Sequence, residues 1–254
     1  MPLPREIPRH PLEKSPALRY NRTVRNTILK EDITMKRLSP AEVWAQGKTV
    51  ITSHSGCEKT PPNSREHLLA AIASGSEMIE FDVRMASGEL ILSHDEPEDP
   101  SACVTLRECF AMIAPEKNLH MNIDVKTEGL IEPVMALAGE FPLEGRIIFT
   151  GACNSDRALA LSLGADMWRS MWPGMEISDG IADNKKDGSP FLNVAYCMIT
   201  EENNRELIEN GLAFSAWTVD KDYFLRLFLR MGVANITTRN PVRAMELRKE
   251  IQGF

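Results

Sequence analysis

The chain alternates between short apolar runs and longer segments in which apolar residues recur every three or four positions. Short runs rich in β-branched and aromatic residues predict strands, and the longer periodic segments predict amphipathic helices. Eight runs predict strands, over residues 49–54, 78–83, 120–125, 146–151, 165–170, 191–196, 213–219 and 234–238.

Helical patterns follow most of these strands. They cover residues 64–75, 105–117, 129–141, 154–164, 200–211, 220–232 and 240–252, whereas residues 171–190 show no clear helix. A further helix is expected to begin at Ser39, which can cap it, with Pro40 in the first turn and Glu42 completing a capping box.

Eight strands, each followed by a helix or a loop in its place, predict an α/β fold, a (β/α)8 TIM barrel. A doubly wound open sheet is the alternative, but it requires a Gly-rich phosphate turn after its first strand, which HSGCEKTPPNS does not supply. Ser87-Gly88 between alternating residues predicts a small β-hairpin excursion after strand 2. That hairpin would return His94 to the level of Asp82.

The segment before the barrel has a different character. Residues 1–45 are expected to form an N-terminal arm, partly disordered or packing on the barrel, because five prolines fall within the first sixteen positions. The arm would include a short helix near 40–46. Residues 46–254 are expected to form the barrel domain.

Composition narrows the classes of function. The net charge of −7 argues against a nucleic-acid partner, and no apolar run approaches the length of an integral membrane segment. The N-terminus lacks the apolar core of a secretory signal, and the five cysteines form no C-x-x-C pair, which favours reduced thiols in the cytoplasm. A small-molecule substrate is therefore expected, and a homo-oligomer is left open.

Candidate chemistry lies at the predicted strand ends, which converge on one mouth of a barrel. Three carboxylates there would form a hard oxygen site for one divalent cation, Mg²⁺ or Ca²⁺. Two histidines could serve as base and acid, and a lysine adds positive charge, so the set suits an anionic ester and above all a phosphodiester. The residues are His54, Glu80, Asp82, His94, Asp124 and Lys126, with Trp217 ending strand 7.

Other residues invite structural interpretations. His67 is expected on a helix surface and His120 at a strand start. Trp168 and Trp172 flank an irregular loop, and either could face the core or the pocket.

The motifs HSG, PPNS, IEFDV, LSHDEP, NIDVK, WTVD and NITTRNP occur in this order over residues 50–242. The series resembles the glycerophosphodiester phosphodiesterase family, whose pattern is H-R-G, P-E-N-T, E-x-D, H-D, E-x-K, W-T-V-N and a closing T-D-x-P. The E-x-D followed by H-D is its most specific part.

The resemblance implies a metal-dependent barrel that hydrolyses glycerophosphodiesters to glycerol 3-phosphate and an alcohol. Matched by position, the implied roles are catalysis for His54 and His94, metal binding for Glu80, Asp82 and Asp124, and substrate binding for Ser55, Lys126 and Trp217.

The chain departs from this pattern at several positions. Ser55 stands where the family has Arg, Pro62 and Asp124 where it has Glu, and Arg239-Asn240 replaces the closing Asp. The histidines and the E-x-D pair are intact, so catalysis is the expectation. A non-catalytic or altered-specificity phosphodiester-binding barrel is the second hypothesis. A Schiff-base lyase using Lys126 is the third.

Overall fold

The structure is a computed structural model that describes residues 37–253. In this part of the chain ten strands alternate with nine α-helices. The strands are β1 (Val50–Ser53), β2 (Met78–Ala86), β3 (Glu89–Leu92), β4 (His120–Val125), β5 (Ile147–Gly151), β6 (Asp166–Met167), β7 (Arg169–Met171), β8 (Phe191–Ala195), β9 (Ala213–Trp217) and β10 (Asn235–Thr238).

Nine of these strands form a parallel, nearly closed barrel, in the order β6-β5-β4-β2-β1-β10-β9-β8-β7. Only Trp168 separates β6 from β7; β6 pairs with β5, and β7 pairs with β8. The predicted strand over 165–170 is therefore one barrel strand broken at this tryptophan. Counted this way the barrel has eight strand positions, which confirms the predicted (β/α)8 fold.

The bulky ring of Trp168 explains the break. It is 1% exposed and packs 4.6 Å from the ring of Phe191 and 6.2 Å from that of Trp44. Its backbone N–H still donates to Phe149 at 2.9 Å, which keeps the two halves in the sheet. Trp168 thus belongs to the core.

The predicted hairpin after strand 2 is present. Strand β2 continues to Ala86, turns at Ser87 and Gly88, both with positive φ, and returns as the antiparallel β3. The N–H of Ser93 then donates to the carbonyl of Asp82 at 3.1 Å. The excursion therefore returns the chain to the level of Asp82, as the sequence predicts.

Helices surround the barrel: α1 (Pro40–Trp44), α2 (Arg65–Ser74), α3 (Leu106–Ile113), α4 (Ile131–Ala138), α5 (Arg157–Ser162), α6 (Ile177–Asp187), α7 (Glu201–Glu209), α8 (Asp222–Met231) and α9 (Pro241–Gln252). Ser39 and Glu42 form the predicted capping box. None of the helices among residues 37–253 is both long and apolar enough to cross a bilayer.

Helix α6 corrects the expectation that residues 171–190 lack a helix. Of its three buried residues, Gly180, Ile181 and Asn184, only Ile181 is a large apolar residue, so its sequence carries little apolar periodicity. Gly180 allows close packing, since a Cβ there would lie 3.0 Å from the sulfur of Met171. Asn184 donates to Phe191 O at 2.7 Å and accepts from Arg169 Nε at 3.2 Å. A glycine contact and an amide replace the usual apolar stripe.

The interior of the barrel contains a polar layer below the mouth. Hydroxyl and amide side chains bond from strand to strand, which satisfies them without water. The pairs are Thr52–Asn235 at 2.7 Å, Asn235–Ser215 at 3.0 Å, Ser215–Asn193 at 2.8 Å and Thr150–Asn122 at 2.8 Å.

The predicted arm mostly lies outside the described residues, which begin at residue 37. Helix α1 is the part of it that the structure describes. The division into an arm over 1–45 and a domain over 46–254 stays a prediction.

His67 lies in α2 and is fully buried, so its expected place on a helix surface is wrong. Neither ring nitrogen has a hydrogen-bond partner within residues 37–253. Burial first, and the nearby His54 second, lower the pKa of His67 to about 3. The folded protein therefore keeps this imidazole neutral over the whole range in which an unfolded histidine gains a proton.

We expect His67 to make stability depend on pH. The pKa is lowered on folding, so its contribution is complete above the unfolded value of 6.5 and is lost as pH falls towards about 3. Between about pH 7.5 and about pH 5, the free energy of unfolding of the wild type should fall by about 2 kcal/mol relative to His67→Leu. Urea titrations at both pH values measure this difference. Parallel pH dependence of the two proteins would contradict it.

Candidate active site

His54 immediately follows β1 at the mouth of the barrel. Its backbone N–H donates to Thr238 O at 2.8 Å, which fixes it beside β10. Ring Nδ1 lies 2.9 Å from the carbonyl of Ser55, and a carbonyl only accepts, so Nδ1 carries the proton. Burial lowers the pKa of His54 despite that bond. The result is a neutral imidazole whose Nε2 can accept a proton.

Three carboxylates meet beside His54. Glu80 and Asp82 lie on β2, and Asp124 lies directly across from Asp82 on β4. One oxygen from each lies within 4.8 Å of the other two. The strand register thus brings together the three predicted metal ligands.

The negative charge of Glu80 is destabilised by its surroundings. Burial first, and then the charges of Asp82 and Asp124, raise its pKa well above the ordinary value. Its Oε2 accepts from the N–H of Ser55 at 2.9 Å and lies 3.7 Å from His54 Nε2. A cation placed among the three carboxylates would reduce the repulsion between them.

Lys126 supplies one cation to the cluster. Its Nζ lies 2.7 Å from Asp82 Oδ1 and also pairs with Asp124. Burial opposes the charge, but Asp124 and Asp82 together hold the pKa of Lys126 above its usual value. The ammonium therefore belongs to the carboxylate cluster and is not a free amine.

Asn63 holds Asp82 in place, a role that the sequence analysis missed. Its Nδ2 donates to Asp82 Oδ2 at 2.7 Å, and its Oδ1 accepts from the N–H of Asp82 at 3.1 Å. Asn63 has a positive φ of 53°, which asparagine tolerates better than most residues. The Asn of PPNS was available as a signal, but nothing in the sequence indicates its partner.

Gly151 makes room for the third carboxylate. It ends β5 with φ 90°, and a Cβ there would collide with Asp124 Oδ1 and the carbonyl of Val125. The hydroxyl of Thr150 beside it lies 2.8 Å from Asn122 Oδ1 and 3.2 Å from Asp124 Oδ1, and these two acceptors share its one proton. The turn after β5 is therefore shaped around the side chain of Asp124.

Ser55 does not face the cavity. It is 2% exposed, its N–H bonds to Glu80, and its Oγ accepts from the N–H of Asn63 at 3.0 Å. The structure places it below the carboxylates, where it braces the site.

One cavity of about 270 Å³ joins the other predicted residues. It is lined by His54, Glu80, Asp82, His94, Asp124, Lys126 and Trp217. His94 stands at the rim, 65% exposed, with Nδ1 bonded to Asp95 at 2.9 Å. Trp217 forms part of the wall, and its buried Nε1 has no hydrogen-bond partner in the described part of the chain.

Two further residues line the cavity. The sequence analysis left the position of one of them open and did not predict the other as a site residue. Trp172, one of the two ambiguous tryptophans, lines the cavity and is 41% exposed. Arg239, which follows β10, also lines it and places a second cationic side chain there. A neutral imidazole, three carboxylates and two cations thus surround one cavity.

The comparisons with known proteins agree with this fold. No family model matches the chain, and no curated protein matches it in sequence. Solved structures do match, at 18% identity or below for those described here.

A protein of Agrobacterium tumefaciens, provisionally named a glycerophosphoryl diester phosphodiesterase, is 18% identical with a TM-score of 0.73, over 82% of this chain and 100% of its own. A glycerophosphodiester phosphodiesterase of Parabacteroides distasonis is 18% identical with a TM-score of 0.66, over 80% and 98%.

A phosphodiesterase of Oleispira antarctica, in complex with the product sn-glycerol-3-phosphate, is 17% identical with a TM-score of 0.64, over 79% and 96%. At these identities the likeness shows a shared fold.

Removing the amide of Asn63 should loosen the carboxylate cluster. Asn63→Ala leaves Asp82 Oδ2 without its amide donor, while Lys126 still pairs with Oδ1, and the loss costs about 1–3 kcal/mol in the free energy of unfolding. Asn210→Ala is the control, because within residues 37–253 the side chain of Asn210 makes only a helix-end bond to Glu206 O. Urea unfolding measures both. Equal stabilities for the two variants would remove the structural role given to Asn63.

Proposed function

We propose that this protein is a metal-dependent phosphodiester hydrolase that cleaves glycerophosphodiesters to glycerol 3-phosphate and an alcohol. One observation carries the proposal: His54, with a free Nε2, and the three carboxylates line a single cavity at the mouth of the barrel. The fold shared with glycerophosphodiester phosphodiesterases, one holding sn-glycerol-3-phosphate, supports it.

The residues of the cavity fit a divalent cation. When fully ionised, the carboxylates of Glu80, Asp82 and Asp124 outnumber the two side-chain cations, Lys126 and Arg239, and leave the lining one charge negative. Such a lining repels a phosphodiester anion. A divalent cation, Mg²⁺ or Ca²⁺, reverses the sign, and oxygen ligands are the ones that both ions prefer.

When bound, the cation would polarise a phosphoryl oxygen and stabilise the charge that develops on it. Glu80, Asp82 and Asp124 would hold it. Asn63 and Thr150 keep two of these carboxylates oriented through their hydrogen bonds.

The two histidines divide the proton transfers. His54 Nε2 accepts the proton of a glycerol hydroxyl of the substrate as that oxygen bonds to phosphorus. His94 donates a proton to the oxygen of the leaving alcohol as the P–O bond breaks, which leaves a cyclic phosphate. In the second step His94 accepts a proton from water as the water oxygen bonds to phosphorus, and His54 returns its proton to the glycerol oxygen as the ring opens to glycerol 3-phosphate. The bond from Nδ1 to Asp95 orients the ring of His94 for these transfers.

Lys126 and Trp217 bind the substrate. The ammonium of Lys126 faces the cavity and attracts the phosphate. Trp217 offers a flat wall for the glycerol.

The leaving alcohol has space beyond His94. A second, more open cavity of about 830 Å³ begins there and runs between Asn63 and Thr105. Its size admits alcohols of different lengths, so we propose that head-group selectivity is set on this side.

We propose that the protein works in the cytoplasm. Its five cysteines are all free thiols within the described residues, and free thiols are typical of a reducing compartment.

The lyase hypothesis has less support. A Schiff-base lysine needs a neutral amine, whereas the Nζ of Lys126 pairs with both Asp82 and Asp124. A non-catalytic phosphodiester-binding barrel keeps the same cavity but requires that the histidines transfer no proton.

Loss of either histidine should abolish most turnover. For His54→Ala or His94→Ala we expect kcat on glycerophosphocholine to fall by about 10²–10⁴-fold, because general acid–base catalysis contributes that much. His120→Asn is the control, since His120 begins β4 at the opposite end of the barrel. Rates of choline release that match the control would overturn the proton-transfer roles.

Chelation should distinguish the three hypotheses. Dialysis against EDTA should abolish hydrolysis of glycerophosphocholine, and Mg²⁺ or Ca²⁺ should restore it, because the anion is otherwise repelled. Borohydride with dihydroxyacetone phosphate should trap no covalent adduct on Lys126. Trapping, together with indifference to EDTA, would favour the lyase. Calorimetric binding of the diester without any released alcohol would favour the non-catalytic barrel.

A further inference from the structure

Arg239 brings a guanidinium to the cavity from an unexpected position. It follows β10 and lines the cavity together with His54, Lys126 and Trp217. In the motif NITTRNP it stands where the resembled family has an acidic residue. The arginine of the family's H-R-G pattern is missing here, and Ser55 in its place is buried below the site.

A second exchange accompanies the first. The motif WTVD ends in Asp220, where the family pattern has Asn, and this acid pairs with Arg239. Asp220 Oδ2 accepts from Nη1 of Arg239 at 2.8 Å, and Oδ1 accepts from its backbone N–H at 2.8 Å. Compared with the family pattern, the acidic residue therefore follows β9 as Asp220, and the cationic Arg239 stands after β10, where the pattern has the acid.

The pair holds Arg239 without using up its donors. A guanidinium has five N–H groups. Asp220 takes the one side-chain bond of this guanidinium within residues 37–253, and 48% of the side chain is exposed. Two conditions for an anion site are therefore met: a fixed orientation and free donors.

We propose that Arg239, oriented by Asp220, is the phosphate-binding guanidinium of this site and supplies from β10 the donor that Ser55 cannot. The proposal rests on the proposed function, because it places the phosphate of the substrate between Arg239 and Lys126. A guanidinium can bind two phosphate oxygens in parallel, which neither a serine hydroxyl nor an ammonium can do.

Binding of sn-glycerol 3-phosphate to the full chain, measured by calorimetry with and without Ca²⁺, tests the proposal. Arg239→Gln should weaken binding by about tenfold or more, since hydrogen bonds to charged groups are lost. Arg239→Lys, which keeps the charge but not the fork, should fall between. Arg107→Gln is the matched control: Arg107 is a 56% exposed arginine that pairs with Glu140 and lines neither cavity.

Steady-state kinetics of Arg239→Gln give a second, independent test of the proposal. With glycerophosphocholine, Arg239→Gln should raise KM by about tenfold or more. An Arg239→Gln protein that binds within about twofold of Arg107→Gln would overturn the proposal and make the Asp220 pair a rim contact only. Normal turnover with unchanged KM would overturn it while leaving the hydrolase intact. Arg239-dependent binding without any turnover would support the anion site and reject the hydrolase.

Discussion

The repulsion among three buried or half-buried carboxylates is the constraint on which this structure depends. Glu80, Asp82 and Asp124 each place an oxygen within 4.8 Å of the others. The single charge of Lys126 is shared between Asp82 and Asp124, and Glu80 keeps one main-chain donor and a strongly raised pKa. Burying like charges is costly, and folding alone does not require it. The divalent cation proposed above would offset the remaining negative charge.

The barrel supplies what this arrangement needs. Parallel pairing of β2 with β4 sets Asp82 across from Asp124. Gly151 leaves room for a carboxylate where any side chain would collide with it. The hairpin of β2 and β3 brings His94 back to the same mouth, while the polar layer beneath joins the strands through buried hydrogen bonds. The cavity at the barrel mouth is therefore a consequence of strand register and of turn shape together.

Local patterns in the sequence were enough to predict much of this. Strand periodicity located the eight barrel positions, and the two-residue spacing of Glu80 and Asp82 placed both on one strand face. Contacts between distant segments were not predictable. The partner of Asn63 lies 19 residues away, and the pairing of Arg239 with Asp220 depends on how two strand ends meet. Helix α6 was missed because a glycine contact and an amide replaced its apolar stripe, and the burial of His67 likewise has no local signature.

The departures from the family pattern change which residues place positive charge at the cavity mouth. Ser55 gives up a phosphate donor and becomes a brace, while Arg239 and Asp220 restore a cation at the rim. The most direct test of the account is anomalous diffraction from crystals soaked in Mn²⁺. The account predicts one peak within about 2.0–2.6 Å of an oxygen from each of Glu80, Asp82 and Asp124. A peak away from these carboxylates, or no peak with Lys126 still bridging Asp82 and Asp124, would contradict it.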